Sequence, residues 1–204
     1  MLTLYHSPGS FSIAAHIVLE ESGERYESNI VDLRKGEQRS EAFRKINPRG
    51  HVPALRLDNG EVITENTAIL PYLGKRFNLW PVDLMAEARA LSLIGFFASS
   101  VASAHARAAH AERYVLDPAA IPTVKAAALQ AFYSYLKEID ALLAGKQWFF
   151  DVYSVCDPYG FSFYSWGLRD GFPMGELRHY TAFKDRMLQR PAVQRVAERE
   201  NLKI

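Results

Sequence analysis

Asn47-Pro48-Arg49-Gly50-His51-Val52-Pro53-Ala54-Leu55, continued by Arg56-Leu57-Asp58-Asn59-Gly60-Glu61-Val62-Ile63-Thr64-Glu65-Asn66-Thr67-Ala68-Ile69, decides how this chain folds. Asn-Pro-Arg-Gly stops whatever helix precedes it. Val52 to Leu57 and Glu61 to Ile63 then read as two strands around Asp58-Asn59-Gly60, a turn whose residues accept positive φ and suit a tight hairpin. On its own, Pro53 reads as the start of an edge strand. From Thr64 onward, Ala68, Ile69, Tyr72 and Leu73 mark a helix that ends near Lys75, with basic residues at its negative pole.

Toward the N-terminus, the apolar run Leu2 to Tyr5 stops at Ser7-Pro8-Gly9-Ser10, and Ile13, Ala14, Ile17 and Val18 follow with helical spacing. Tyr26 to Val31 alternates like a strand, and a short polar helix is expected around Ser40 to Ile46. The order is β-α-β-α-β-β-α. Toward the C-terminus no segment reads as a strand. After Trp80-Pro81, an Ala-rich segment from about Leu84 to Ala111 should form one extended helix. Val124, Ala127, Ala128, Ala131, Phe132, Tyr135, Ile139, Leu142 and Leu143 share one face of a second. Ser154 and Asp157 form a capping pair, in which the Ser hydroxyl accepts from the third helical amide and the Asp reaches back to the cap. Pro191 opens the final helix. Two domains are expected, residues 1–77 and 84–204.

The composition narrows the function. Of 204 residues, 49% are apolar and 23% charged, the balance of a globular protein with a real core. A net charge of +1 leaves no surplus for phosphates, so nucleic acid is discounted as a partner. The single cysteine, Cys156, excludes an intramolecular disulfide and any CxxC site. The six histidines show no metal-ligand spacing, so no metal is expected. The start, Met-Leu-Thr-Leu-Tyr-His, lacks the features of a signal peptide, and no uninterrupted apolar stretch is long enough to cross a bilayer. A cytoplasmic location and no membrane partner are the expectation.

Three features, in this order and spacing, together resemble the glutathione site of the cytosolic glutathione transferases. They are Tyr5-His6-Ser7-Pro8-Gly9-Ser10-Phe11-Ser12, the loop through Val52-Pro53, and Thr64-Glu65-Asn66-Thr67. Taken singly, each has a plainer explanation: a helix cap, a strand start, an acidic first turn. The resemblance covers essentially the whole chain and is nearest to bacterial beta-class members. It implies a thioredoxin-like α/β N-terminal domain followed by an all-α domain, with glutathione as co-substrate and no metal.

In that family the residue before the cis-proline pairs its backbone with the cysteine of glutathione, which matches Val52 here and makes Pro53 the cis residue. Glu65 matches the carboxylate that takes the glutathione ammonium, and Asn66 stands where Ser is commoner. Lys35 and His51 occupy places that contact the glycine carboxylate or the cysteinyl backbone, although both fit solvated surface charges equally well. The beta class has cysteine where this chain has Phe11, whose contribution is limited to packing and its backbone N–H. Thiol-transfer chemistry is therefore not expected.

What remains is stabilisation of a glutathione thiolate, whose parent thiol has a pKa of about 8.5. Lowering it by ~2 units takes roughly 2.7 kcal/mol, within reach of a hydroxyl donor and a helix N-terminus. Ser12, Ser10 and Tyr5 are the candidates, with Ser12 favoured for following the beta-class cysteine position and Tyr5 equally able to point into the core. An electrophile pocket is expected between the domains, from Phe11, Tyr114, Tyr164 and Trp166, with His105 or Arg107 on the long helix. The leading reading is a glutathione transferase acting on a small, apolar electrophile. Alternatives are a non-catalytic glutathione or ligand carrier, or a pathway-specific glutathione-dependent lyase or isomerase. The family also implies a homodimer.

Overall fold

The computed structural model describes residues 1–204. Four strands, β1 (Leu2–His6), β2 (Tyr26–Ile30), β3 (Ala54–Arg56) and β4 (Val62–Thr64), form one sheet in the order β2-β1-β3-β4. β1 runs parallel to β2, whereas β1 with β3 and β3 with β4 are antiparallel. This is the thioredoxin-like mixed sheet. β1 is buried on both faces, which explains why its sequence is an apolar run rather than an alternation. Leu2 and Leu4 face the main core with Ile13 and Ile17 of α1 (Ile13–Ser22) and Leu70 of α3 (Asn66–Arg76). Tyr5 joins a small separate cluster with Val31, Ala54 and Phe43 of α2 (Glu41–Arg44).

β3 begins two residues later than the hairpin pattern suggests, at Ala54, just after the cis Val52–Pro53 bond. Asn47 secures that loop: its Nδ2 donates to the His51 carbonyl at 2.7 Å and its Oδ1 accepts the Arg49 amide at 3.1 Å. Gly50, at φ 64°, closes it against Gln38, whose carbonyl oxygen would lie 2.7 Å from any Cβ there.

The remainder is helical. α4 (Leu84–Phe96) passes through a π-helical turn, Phe97–Ala102, into α5 (Ser103–Ala109), so the extended helix expected there is one rod with a local widening. Such turns gather at functional sites. α6 (Ile121–Leu142) buries Ala128, Phe132, Leu136 and Ile139, the stripe its periodicity marks. α7 (Cys156–Arg169) is buried almost all round and carries the core from α1 to the other helices. α8 (Arg178–Leu188) has no counterpart in the sequence reading, because His179, Lys184, Asp185 and Arg186 dilute its apolar face of Tyr180, Phe183 and Met187. α9 (Pro191–Arg199) starts at Pro191 as expected.

One expectation needs correction. The capping pair before α7 is only half as drawn: Asp157 reaches back to the Ser154 amide at 2.7 Å, but Ser154 Oγ accepts from Cys156 rather than from Asp157. Asp157 also accepts the Phe149 amide at 3.0 Å, so it fixes the preceding loop as well as the helix. Leu84–Ala109 is a 26-residue helix, long and apolar enough by length and composition to cross a bilayer, although Glu87, Arg89 and Arg107 interrupt its apolar run. That helix packs against α6 and α7.

Candidate functional site

A cleft of about 850 Å³ opens between the edge of the sheet and the α4–α5 rod. Its sheet-side wall holds Val52, Pro53, His51 and Lys35, followed by Glu65, Asn66 and Thr67 at the start of α3. Glu65 sits at φ 70°, a value that costs a non-glycine residue of order 1–3 kcal/mol. Its carboxylate is exposed and bonds to nothing in the protein, and no side chain caps α3. The helix therefore presents uncapped amides and a free carboxylate together, a combination that can receive both a carboxylate and an ammonium. Asn66 is buried and donates to the Phe11 carbonyl at 2.7 Å, so it positions the opposite wall. Lys35 is largely exposed, 3.5 Å from Asp32.

The α1 entrance forms the second wall. Ser10 and Phe11 line the cleft, whereas Ser12 is fully buried and does not. The Ser12 hydroxyl is already committed: it accepts the Ser7 amide at 3.2 Å, donates to the Ser7 carbonyl at 3.0 Å, and lies 2.7 Å from Ser10 Oγ. The preference for Ser12 as donor thus gives way, because a hydroxyl with its proton on a buried carbonyl cannot face a ligand. Tyr5 is 7% exposed, edge-on to Phe43 beneath Arg56, and does not reach the cleft either. Ser10 is the hydroxyl at the surface. The Phe11 N–H donates to no protein group.

The turn itself is clasped from the helical half. Gly9 donates its N–H to Glu200 at 2.9 Å and its carbonyl accepts from Trp166 Nε1 at 3.1 Å. Glu200, the residue after α9, is buried and also accepts from His16 at 2.6 Å and faces His6 at 3.3 Å. Those hydrogen bonds hold its carboxyl below the ordinary value against the opposing effect of burial. His6, His16 and Glu200 bring ligand atoms within 4.8 Å of one another, a metal-type grouping that the sequence spacing hides. With a His–Glu hydrogen bond already closed at its centre, the grouping works as a clasp.

On the helical side, Tyr114 lines the first cleft, and Ala98, Ala102, Ala106, His110 and Arg113 join it. Arg107 does not; it is exposed and lies over the Tyr114 ring at 5.3 Å. Tyr164 belongs to the core, its hydroxyl 3.0 Å from Thr181. Trp166 is likewise buried, behind Phe11, with ring centroids 4.4 Å apart. His105 stacks on Trp166 and lines a second cleft of about 520 Å³, which meets the first at Ser10 and Phe11. Among residues the sequence reading missed, Thr67 directly follows Glu65-Asn66 and was within reach, while Arg113 and Tyr159 carry no local signal. Cys156 is far from being a nucleophile: burial pushes its thiol up to about 12.

Comparison with known proteins agrees with this geometry. Residues 9–76 match the family model for the glutathione S-transferase N-terminal domain. Glutathione S-transferase GstA of Escherichia coli O157:H7 is 31% identical over 211 residues, covering 99% of this chain and all of that one. A glutathione transferase homologue from Sulfitobacter, solved with bound glutathione, superposes with a TM-score of 0.91 at 29% identity, over 98% of both chains. The beta-class glutathione S-transferase of Sphingomonas chungbukensis gives a TM-score of 0.86 at 32% identity, over 98% of this chain and all of that one. The chain belongs to the cytosolic glutathione S-transferase family.

Proposed function

We propose that this protein is a glutathione transferase that ionises the glutathione thiol and presents the thiolate to a small electrophile. The observation that carries this reading is that Val52, Glu65 and Ser10, from three separate elements, line one cleft. Glu65 takes the ammonium of the γ-glutamyl group and the uncapped start of α3, with Thr67, takes its carboxylate. The Val52 backbone pairs with the cysteinyl unit, and Lys35 and His51 face its glycine end.

The sulfur then lies against Ser10 and the free Phe11 N–H. The Ser10 hydroxyl can donate to Ser12, 2.7 Å away, when the Ser12 hydroxyl donates to the Ser7 carbonyl. Turning that proton to the sulfur gives the thiolate a hydroxyl donor, and a backbone amide at the head of α1 gives it a second. Ser12 acts by holding Ser10. The thiolate attacks the electrophilic carbon, the carbon–sulfur bond forms as the leaving group departs, and the thiol proton goes to solvent. Phe11 supplies no thiol and Cys156 is buried, so mixed-disulfide chemistry has no partner within the chain.

The protein is also read as a cytoplasmic homodimer, a reading supported by the exposure of Leu84, Met85 and Leu91 along the head of α4. Sedimentation giving a monomer at micromolar concentration would reject the dimer. The test of the main reading is the ultraviolet thiolate absorbance of glutathione added to the protein and followed across neutral pH. A thiolate band with an apparent pKa well below that of free glutathione is expected. A band that appears only at the free pKa would refute the activation step.

A further inference from the structure

Cations outnumber acids in both clefts. The first presents Arg34, Lys35, Arg39, Arg44, Arg49 and Arg113 against Glu65 alone. Glutathione as a thiolate carries two carboxylates and an anionic sulfur against one ammonium, which accounts for part of that surplus. It does not account for the second cleft, which lacks Val52, Glu65 and Asn66 and is built from the turn before α1, from Leu33 and Arg34 after β2, and from α5, α6 and the end of α7. There Arg34, Lys125 and Arg169 face a single carboxylate, Asp170.

Asp170 is already engaged. It lies 3.4 Å from His105 Nε2 and 3.9 Å from Arg169 Nε, while Arg169 donates to His105 at 2.8 Å. Arg34 and Lys125 are exposed and form no ion pair. Between these charges the walls are apolar, with Phe11, Leu33, Leu129 and the small side chains of Ala106 and Ala108. The two clefts share Ser10, Phe11, Leu33, Arg34, Ala106 and His110, so the second opens directly on the hydroxyl assigned to the sulfur.

We infer that the second substrate is an electrophile carrying a carboxylate, its apolar body against Phe11 and Leu129 and its charge met by Arg34 and Lys125. The inference rests on the transferase reading above and narrows it. A neutral apolar compound gains nothing from two unpaired cations, whereas an anion is steered to them and held in one orientation. For an aryl halide probe, the glutathione sulfur bonds to the halogen-bearing carbon, the carbon–halogen bond breaks and halide leaves.

The experiment compares kcat/KM for a chlorodinitrobenzoate and for its methyl ester, each divided by its uncatalysed rate with glutathione, at one fixed glutathione concentration. The ratio of the two cancels the amount of active enzyme, so a partly misfolded variant still reports. A ratio of about ten or more in favour of the acid is expected, falling about three- to tenfold in Lys125→Glu and falling again as salt is raised. A ratio near or below one, or one that Lys125→Glu and salt leave unmoved, overturns the inference while the transferase reading stands. Turnover of neither compound overturns the transferase reading and this inference with it.

Discussion

The starts of α3 and α7 use the same chemistry for opposite ends. At α7, Asp157 accepts from Ser154 N, Ser154 Oγ and Phe149 N, and all of these groups are buried. At α3, Glu65 is exposed, sits at φ 70°, and leaves both its carboxylate and the first-turn amides without a side-chain partner. A helix start closed by its own side chain stabilises the protein. One left open gives up that stabilisation and keeps its donors for a ligand.

Substitutions can break this contrast, and the largest effect is expected at Asp157. Asp157→Ala leaves two buried amides unpaired and should lower unfolding stability by about 3 kcal/mol in urea titration. Burial raises the Asp157 carboxyl from 3.8 to about 7, outweighing the hydrogen bonds from Phe149 and Ser154 that lower it. The folded protein thus holds this proton more tightly than the unfolded chain does. Its contribution is full below the unfolded value and is lost as pH rises through about 7. Comparing urea midpoints across that window, the slope should be shallower in Asp157→Ala than in the parent.

Glu65→Ala should show the reverse pattern. Loss of the ammonium partner weakens glutathione binding by ~2–3 kcal/mol in calorimetry, while unfolding stability moves by less than about 0.5 kcal/mol. Equal losses of stability and affinity would erase the distinction between the two helix starts. Ser10 and Ser12 repeat it on a smaller scale. Ser10→Ala should cut kcat by about ten- to a hundredfold and raise the bound-thiol pKa. Ser12→Ala should cost about 1–2 kcal/mol of stability and act on turnover only through Ser10. If Ser12→Ala alone abolished the thiolate band with stability intact, the roles would be exchanged. The smallest expected effect is at Cys156: buried, with its thiol raised to about 12, it should resist alkylation in the folded protein and react on unfolding.

Much of this was legible in the chain because the signals are local. The Asp58-Asn59-Gly60 turn, the Val52-Pro53 pair, the α6 stripe and Pro191 each act through neighbours a few residues away. The cleft wall at the start of α3 is of this kind too, since Glu65, Asn66 and Thr67 are consecutive. The helical wall is not. Tyr164 and Trp166 were indistinguishable by pattern from Tyr114, yet α7 is buried all round and only Tyr114 faces the cleft. The α8 helix escaped notice because its charged residues interrupt a face that only packing against α6 and α7 defines.

The sequence by itself determined the order of elements from β1 to α3, the hairpin and the absence of a nucleophilic thiol at Phe11, all consequences of backbone preference and residue chemistry along a short span. Which of the two serines is left at the cleft surface was decided only by tertiary structure. Ser10 and Ser12 are equivalent by composition, and the difference arises because Gly9 is clasped by Glu200 and Trp166 from the far end of the chain. That clasp seats the turn so that Ser12 spends its hydroxyl on Ser7 and Ser10 is left at the surface, a choice that burial makes and that no local propensity encodes.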